Sequence, residues 1–289
     1  MTLSDPAPAP QGLTDRVALL RQRDRAVRSG HVDVLHRLAA AEIEDRLAEI
    51  NRRFTQPVVV TGFGPLWREL IPGAQVVADD PVLDLAQGAH DLVIHAMALH
   101  WAEDPVGQMV QCRRALAPDG LFIAACLGGQ TLHEVRAALA QAEAEVTGGL
   151  SPRILPMGEI RDMGALLSRA GLALPVADLV SQRASYRDLI HLAHDLRAMG
   201  EGNAMAARLR RPTRATIFAR AAAIMAEHHP DRDDPSRIAT TFDLVFLTGW
   251  APSETQPRPL RPGSATTRLA DALNEIRTCL LYTSDAADE

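Results

Sequence analysis

Lysine is missing altogether: all 30 basic residues are arginine. That excludes Schiff-base chemistry through a lysine amine and the phosphate-gripping lysine of a P-loop. Cysteine is nearly absent, with three in 289 residues, which excludes a disulfide framework. Cys112 and Cys126 are not spaced as paired metal ligands, and no other metal-binding pattern stands out. Aromatic residues make up 4% of the chain, so the core falls to Ala, Leu, Val and Ile. No apolar run is long enough to span a bilayer, and residues 1–12 read as a disordered Pro/Ala-rich lead without the apolar centre of a signal peptide. The formal charge of −6 has no basic block behind it, which argues against a nucleic-acid partner held through its phosphates. The expectation is a cytoplasmic protein with no membrane span and no nucleic acid.

What is present is a hydrophobic content of 47%, ample for a large core. Residues 13–56 carry apolar positions at helical spacing (Val34, Leu35, Leu38, Ile43, Leu47, Ile50) and predict one or two N-terminal helices. A β-branched run, Pro57–Val60, predicts a strand ending at Thr61-Gly62-Phe63-Gly64. Ala74–Ala78 predicts a second strand ending in Asp79-Asp80, Asp91–Ala96 a third and Leu121–Cys126 a fourth, after the turn Pro118-Asp119-Gly120. Helices are predicted at Leu66–Leu70, Pro105–Leu116, Thr131–Val146 and Gly158–Ala170. Strands at Ala173–Ser181 and Thr240–Trp250 bracket helical stretches at Tyr186–Met199 and Thr213–His229. Alternation of strand and helix implies a parallel, doubly wound α/β sheet. The two late strands should pair as an antiparallel edge, with a helical lid between them. The expected organisation is a core over 57–183, a lid over 184–236 and a last strand with its C-terminal segment over 237–278. From Cys279 to Glu289 the composition changes abruptly, and the run resembles a translated sequencing adapter, so it is left out of the fold reading.

In an open α/β sheet, ligands bind at the carboxyl ends of the strands. Gly62 and Gly64 would let a cofactor approach backbone closely, or would only make a tight strand-to-helix turn. Asp79 is placed to accept a hydrogen bond from an adenine amino group, or to serve as a helix cap or surface acid. His100 and Trp101 would offer an imidazole for proton transfer and a ring for stacking; the bland alternative is that Trp101 plugs the sheet edge. His100 has no visible carboxylate partner in the sequence.

The segments Asp91-Leu-Val-Ile94, Leu99-His100-Trp101, Leu116-Ala-Pro-Asp-Gly120 and Gly128-Gly-Gln-Thr-Leu132 resemble motifs of the class I S-adenosylmethionine (SAM)-dependent methyltransferases. Gly148–Pro152, the run Asp195-Leu-Arg-Ala-Met-Gly-Glu-Gly-Asn203, Gly249-Trp250 and Pro262–Thr266 are similar to one branch of that family. This branch holds the respiratory complex I assembly factor that is a protein-arginine hydroxylase, with its bacterial homologues; a more distant cousin is the malonyl-carrier-protein methyltransferase of biotin synthesis. The resemblance implies a Rossmann-like sheet, SAM as cofactor and a client protein or carrier-bound small molecule as partner. It implies cofactor contacts at Gly62, Gly64, Asp79, Leu99 and Trp101, a catalytic role for His100, and substrate or lid contacts at Gln130, Tyr186, Arg197 and Asn203. Two departures stand out. Val60-Thr61 and Pro65-Leu66 occupy the places of the family's acid and third glycine. The stretch between Gly64 and Val76 is too short for the usual helix, strand and helix, so one βα unit is missing and with it the acid that holds the ribose. Three functions follow: a methyltransferase with a degenerate cofactor site, a hydroxylase whose metal pattern the sequence does not supply, and a non-catalytic complex I assembly factor.

Overall fold

The computed structural model describes residues 12–50 and 52–256. Two helices come first, α1 (Arg16–Arg28) and α2 (Val34–Glu49). Asp15 starts α1 by accepting a hydrogen bond from the Ala18 backbone N–H, one of the donors a helix N-terminus leaves unpaired. The β-branched run becomes β1 (Pro57–Thr61), with Val58, Val59 and Val60 wholly buried. A short helix, α3 (Gly64–Leu70), begins with Pro65 in its first turn and leads to β2 (Gln75–Ala78). Then follow β3 (His90–Ala96), a 3-10 turn at Leu99–Trp101, α4 (Pro105–Ala115) and β4 (Leu116–Gly128). The remaining elements are α5 (His133–Thr147), α6 (Ile160–Arg169), β5 (Ala173–Tyr186), α7 (Leu189–Ala198), α8 (Ala215–His228) and β6 (Ile238–Trp250).

The six strands form one sheet in the order β2-β1-β3-β4-β6-β5. β1 lies between β2 and β3, and β3 beside β4, all parallel; β6 runs antiparallel to both β4 and β5. Alternate residues of each strand face opposite sides. Leu92, Ile94, Ile123 and Ala125 pack with residues of α2, α5, α7 and α8 on one face, whereas Val93, Phe122, Ala124 and Cys126 pack with α4 and α6 on the other. The result is the three-layer α/β architecture that the alternation of elements implies, with only β2 outside β1 and with α7 and α8 inserted between the antiparallel pair. Among the described residues no helix is long and apolar enough to cross a membrane.

Two strands run longer than their apolar stretches predict. Pro118-Asp119-Gly120 lies inside β4 as an irregularity, Asp119 having φ +63°, rather than before the strand. β5 continues past Ser181 to Tyr186 because every residue from Val176 to Tyr186 keeps a partner on β6, down to the Tyr186–Ile238 pair. The predicted tail at Cys279–Glu289, the Pro262–Thr266 motif and all but Gly12 of the predicted lead at 1–12 lie outside the described residues.

Candidate functional site

Because β1, β2 and β3 are parallel, Gly62, Asp79 and the Met97–Trp101 loop come together at one edge of the sheet. α1 crosses that edge. From it Arg23 sets Nη1 2.8 and 2.9 Å from the two carboxylate oxygens of Asp79, and Arg16 sets Nη2 and Nη1 2.9 and 3.1 Å from the same two oxygens. The side chains of Arg23 and Asp79 are 4% and 3% exposed, that of Arg16 27%. Burial pushes the Asp79 carboxyl up, but its hydrogen bond to Arg16 and the charges of both arginines override it and hold the group at about 2. The Arg23 guanidinium also lies against Gly62 so closely that an added Cβ there would overlap it. Gly62 is therefore glycine to admit an arginine of its own chain.

SAM does not fit this arrangement. Arg23 takes the room beside Gly62, and both oxygens of Asp79 are engaged by guanidiniums, so neither is open to a ligand.

A second cluster forms where the chain leaves α7. Gly200, at φ +81°, makes a turn that few other residues adopt, and its α-carbon sits so near Phe63 that an added Cβ would lie 2.7 Å from the ring. The turn delivers Glu201 to the 3-10 turn after β3. Trp101 Nε1 donates to Glu201 Oε2 at 2.8 Å, and His100 Nε2 lies 3.2 Å from the same oxygen. Burial raises the Glu201 carboxyl; the neighbouring His100 ring, the hydrogen bonds from His100 and Trp101, and the Arg23 charge bring it below its ordinary value. His100 Nδ1 is buried with no hydrogen-bond partner.

His100, Trp101 and Glu201 border a cavity of about 980 Å³ enclosed by α5, α7, α8 and the 152–157 segment. Its wall includes Leu132, Val135, Leu139, Leu192 and Phe218, and its mouth carries Arg25, Arg197 and Arg211. Asn203 also lines it, but the Asn203 side chain is occupied: it donates to the Pro152 carbonyl at 2.9 Å and accepts from the Met205 N–H at 3.0 Å.

The structure thus gathers His100, Trp101, Arg197 and Asn203 on one cavity, and Gly62 with Asp79 around Arg23. Other expected site residues lie elsewhere. Gly64 opens α3, and a Cβ there would make ordinary contact with Val76 at 3.6 Å, so no close approach of a ligand is needed to explain it. Leu99 is buried in the cluster under α4, on the opposite face from the cavity wall. Gln130 turns outward to Glu159, at 3.3 Å, while its backbone N–H donates to Asp243. Tyr186 is the last residue of β5 rather than part of a lid helix; it is buried, edge-on to His191, and absent from the cavity wall. Asp79 is not a surface acid: it is buried, and both of its oxygens are engaged by Arg16 and Arg23.

Three residues escape sequence reasoning. Arg16 and Arg23 are spaced seven apart, two turns of one helix face, but so are many surface arginines. Glu201, the carboxylate partner that His100 lacks locally, stands inside the Asp195–Asn203 run and 101 residues from His100.

Residues 64–124 match the methyltransferase domain family. Together with the strand order, this makes the chain a class I methyltransferase-like protein. Within that class its homologues are the arginine-hydroxylase NDUFAF5 proteins and, at somewhat lower identity, malonyl-[acyl-carrier protein] O-methyltransferases. The mitochondrial arginine-hydroxylase NDUFAF5 of Danio rerio is 36% identical over 201 residues, covering 70% of this chain and 62% of that protein. The malonyl-[acyl-carrier protein] O-methyltransferase of Laribacter hongkongensis is 34% identical over 190 residues, covering 66% and 61%. The chain therefore spans about three fifths of the length of these relatives. Among solved structures, the YcgJ protein of Bacillus subtilis superposes with a TM-score of 0.45 at 10% identity, covering 74% of this chain and 99% of that one.

Proposed function

We propose that this chain is a cytoplasmic methyltransferase-family protein with a degenerate cofactor site, acting on a protein or carrier-bound substrate received in the cavity at His100. The carrying observation is the His100–Glu201 pair at the inner end of that cavity. With Glu201 ionised, His100 Nε2 holds the proton that bonds it, and Nδ1 keeps a lone pair for a proton of the substrate. Glu201 orients the ring and offsets the imidazolium that proton uptake would form. Trp101, fixed by the same oxygen, forms a flat wall beside it. Arg197 at the mouth orients an acidic portion of the substrate or its carrier. The names of the relatives, one acting on arginine and the other on a carrier-bound acid, support a substrate attached to a protein.

A second reading, a non-catalytic assembly factor of the respiratory complex I type, is favoured by the filled cleft at Gly62 and Asp79. Isothermal titration with SAM and S-adenosylhomocysteine separates the two. No saturable heat at millimolar ligand, in the chain and in Arg23→Ala alike, leaves the assembly-factor reading in front. Binding that appears on Arg23→Ala and vanishes when Asp79→Ala is added supports a latent cofactor site and a methyl-transfer role.

A further inference from the structure

Six arginines line the cavity (Arg25, Arg153, Arg197, Arg208, Arg210, Arg211) against a single acid, Glu201. In a chain whose acids outnumber its cations by six, that ratio marks a place for negative charge. Arg153 is paired with Glu143, and Arg208 and Arg210 with Asp15. Arg25, Arg197 and Arg211 are exposed and have no carboxylate partner among the described residues.

Inside this rim the wall turns apolar, through Leu132, Val135 and Leu139 at one side and Leu192, Leu196 and Phe218 at the other. Such a wall gains by taking hydrocarbon out of water and gives a polar peptide little to bond. The volume, about 980 Å³, stands at the upper end of ligand cavities, which run from about 300 to 1,000 Å³. Orientation follows from the inner end. There the buried Glu201 carboxylate repels a second anion, and the unpartnered His100 Nδ1 suits a hydroxyl or N–H donor. The negative end of a ligand therefore belongs at the rim and its chain within.

We propose that the cavity binds a long-chain anionic amphiphile, its hydrocarbon chain between α5 and α7 and its carboxylate or phosphate at Arg25, Arg197 and Arg211. The proposal rests on the reading of the cavity as the substrate site and names the chemistry that site selects.

A fluorescent fatty-acid analogue titrated into the full chain tests it by displacement. Palmitate and lysophosphatidate displace the probe, and whichever does so better identifies the headgroup. The double charge reversal Arg197→Glu/Arg211→Glu, on exposed side chains, keeps the circular dichroism spectrum and melting curve and weakens both competitors by about tenfold or more. Hexadecyltrimethylammonium, with the same chain and the opposite charge, displaces at least about tenfold less well than palmitate. The proposal is overturned by failure of both anionic chains to displace, by equal displacement by the ammonium, or by unchanged affinity in the charge-reversed variant. The variant His100→Gln separates this from the preceding reading. Palmitate binding that survives it while the variant shows no functional loss upholds the pocket and removes the role given to His100.

Discussion

Arg23 and Asp79, 56 residues apart in the chain, meet at 2.8 Å with both side chains almost wholly out of water. A buried ion pair of this kind is costly to break from one side and often replaceable as a unit. Asp79→Ala, which leaves Arg23 buried and uncompensated, is expected to lose about 3–5 kcal/mol in urea denaturation. Arg23→Met combined with Asp79→Leu should recover most of that loss. A single variant within about 1 kcal/mol of the parent would show that the pair does not hold α1 on the sheet edge.

Gly62 and Arg23 give a second test. An alanine methyl at position 62 overlaps the guanidinium, so Gly62→Ala should cost about 1–3 kcal/mol, the usual range for overpacking. In an Arg23→Ala background the same change should cost far less. The coupling in the double-mutant cycle is the readout, and additive losses would place Arg23 away from the turn.

Glu201 satisfies two donors at once. Glu201→Leu strands Trp101 Nε1 and the His100 ring in the interior, at about 1–3 kcal/mol for each donor left unpaired. Glu201→Gln keeps an acceptor for Trp101 and should be milder. Chemical denaturation of the two variants, compared with the parent, measures the difference.

Acid should erode stability over two overlapping ranges of pH. His36 is buried, and its Nδ1 accepts from Trp67 Nε1 at 3.0 Å. Burial brings its pKa from 6.5 to about 3. The unfolded chain takes up that proton below pH 6.5 and the folded chain only near 3, so stability present above 6.5 is lost across that window, by up to about 1.4 kcal/mol per pH unit. Asp79 acts lower down. Its carboxyl is held at about 2 against 3.8, so its contribution, roughly 2 kcal/mol, is present above 3.8 and lost as the pH falls through 2. His36→Leu should flatten the upper part of a stability-against-pH curve and Asp79→Asn the lower. An unchanged slope in either variant would remove that residue from the account.

Much of the fold is legible because its signals are local. Val58-Val-Val60, Asp91–Ala96 and Leu121–Cys126 are continuous apolar runs, as strands covered on both faces must be, and Pro105 and Gly171 mark helix limits in the same local way. Tyr186 escapes that reading because the length of β5 is set by its partner β6, and Leu99 because a residue beside a functional loop still faces whichever layer its backbone turns it toward. The composition, all arginine and almost no cysteine, already excludes lysine chemistry and disulfide scaffolds.

What the residue order determined by itself is the alternation of elements and the set of loops at the strand ends, since both depend on neighbours within a few positions. Which groups meet at those ends was decided only in three dimensions. Asp79 is claimed by Arg16 and Arg23 across the sheet edge, and His100 finds Glu201, 101 residues on and just after α7, at 3.2 Å. Charges act through space and not along the chain, so packing made an acid at a strand end half of a buried ion pair and gave a locally solitary histidine a carboxylate.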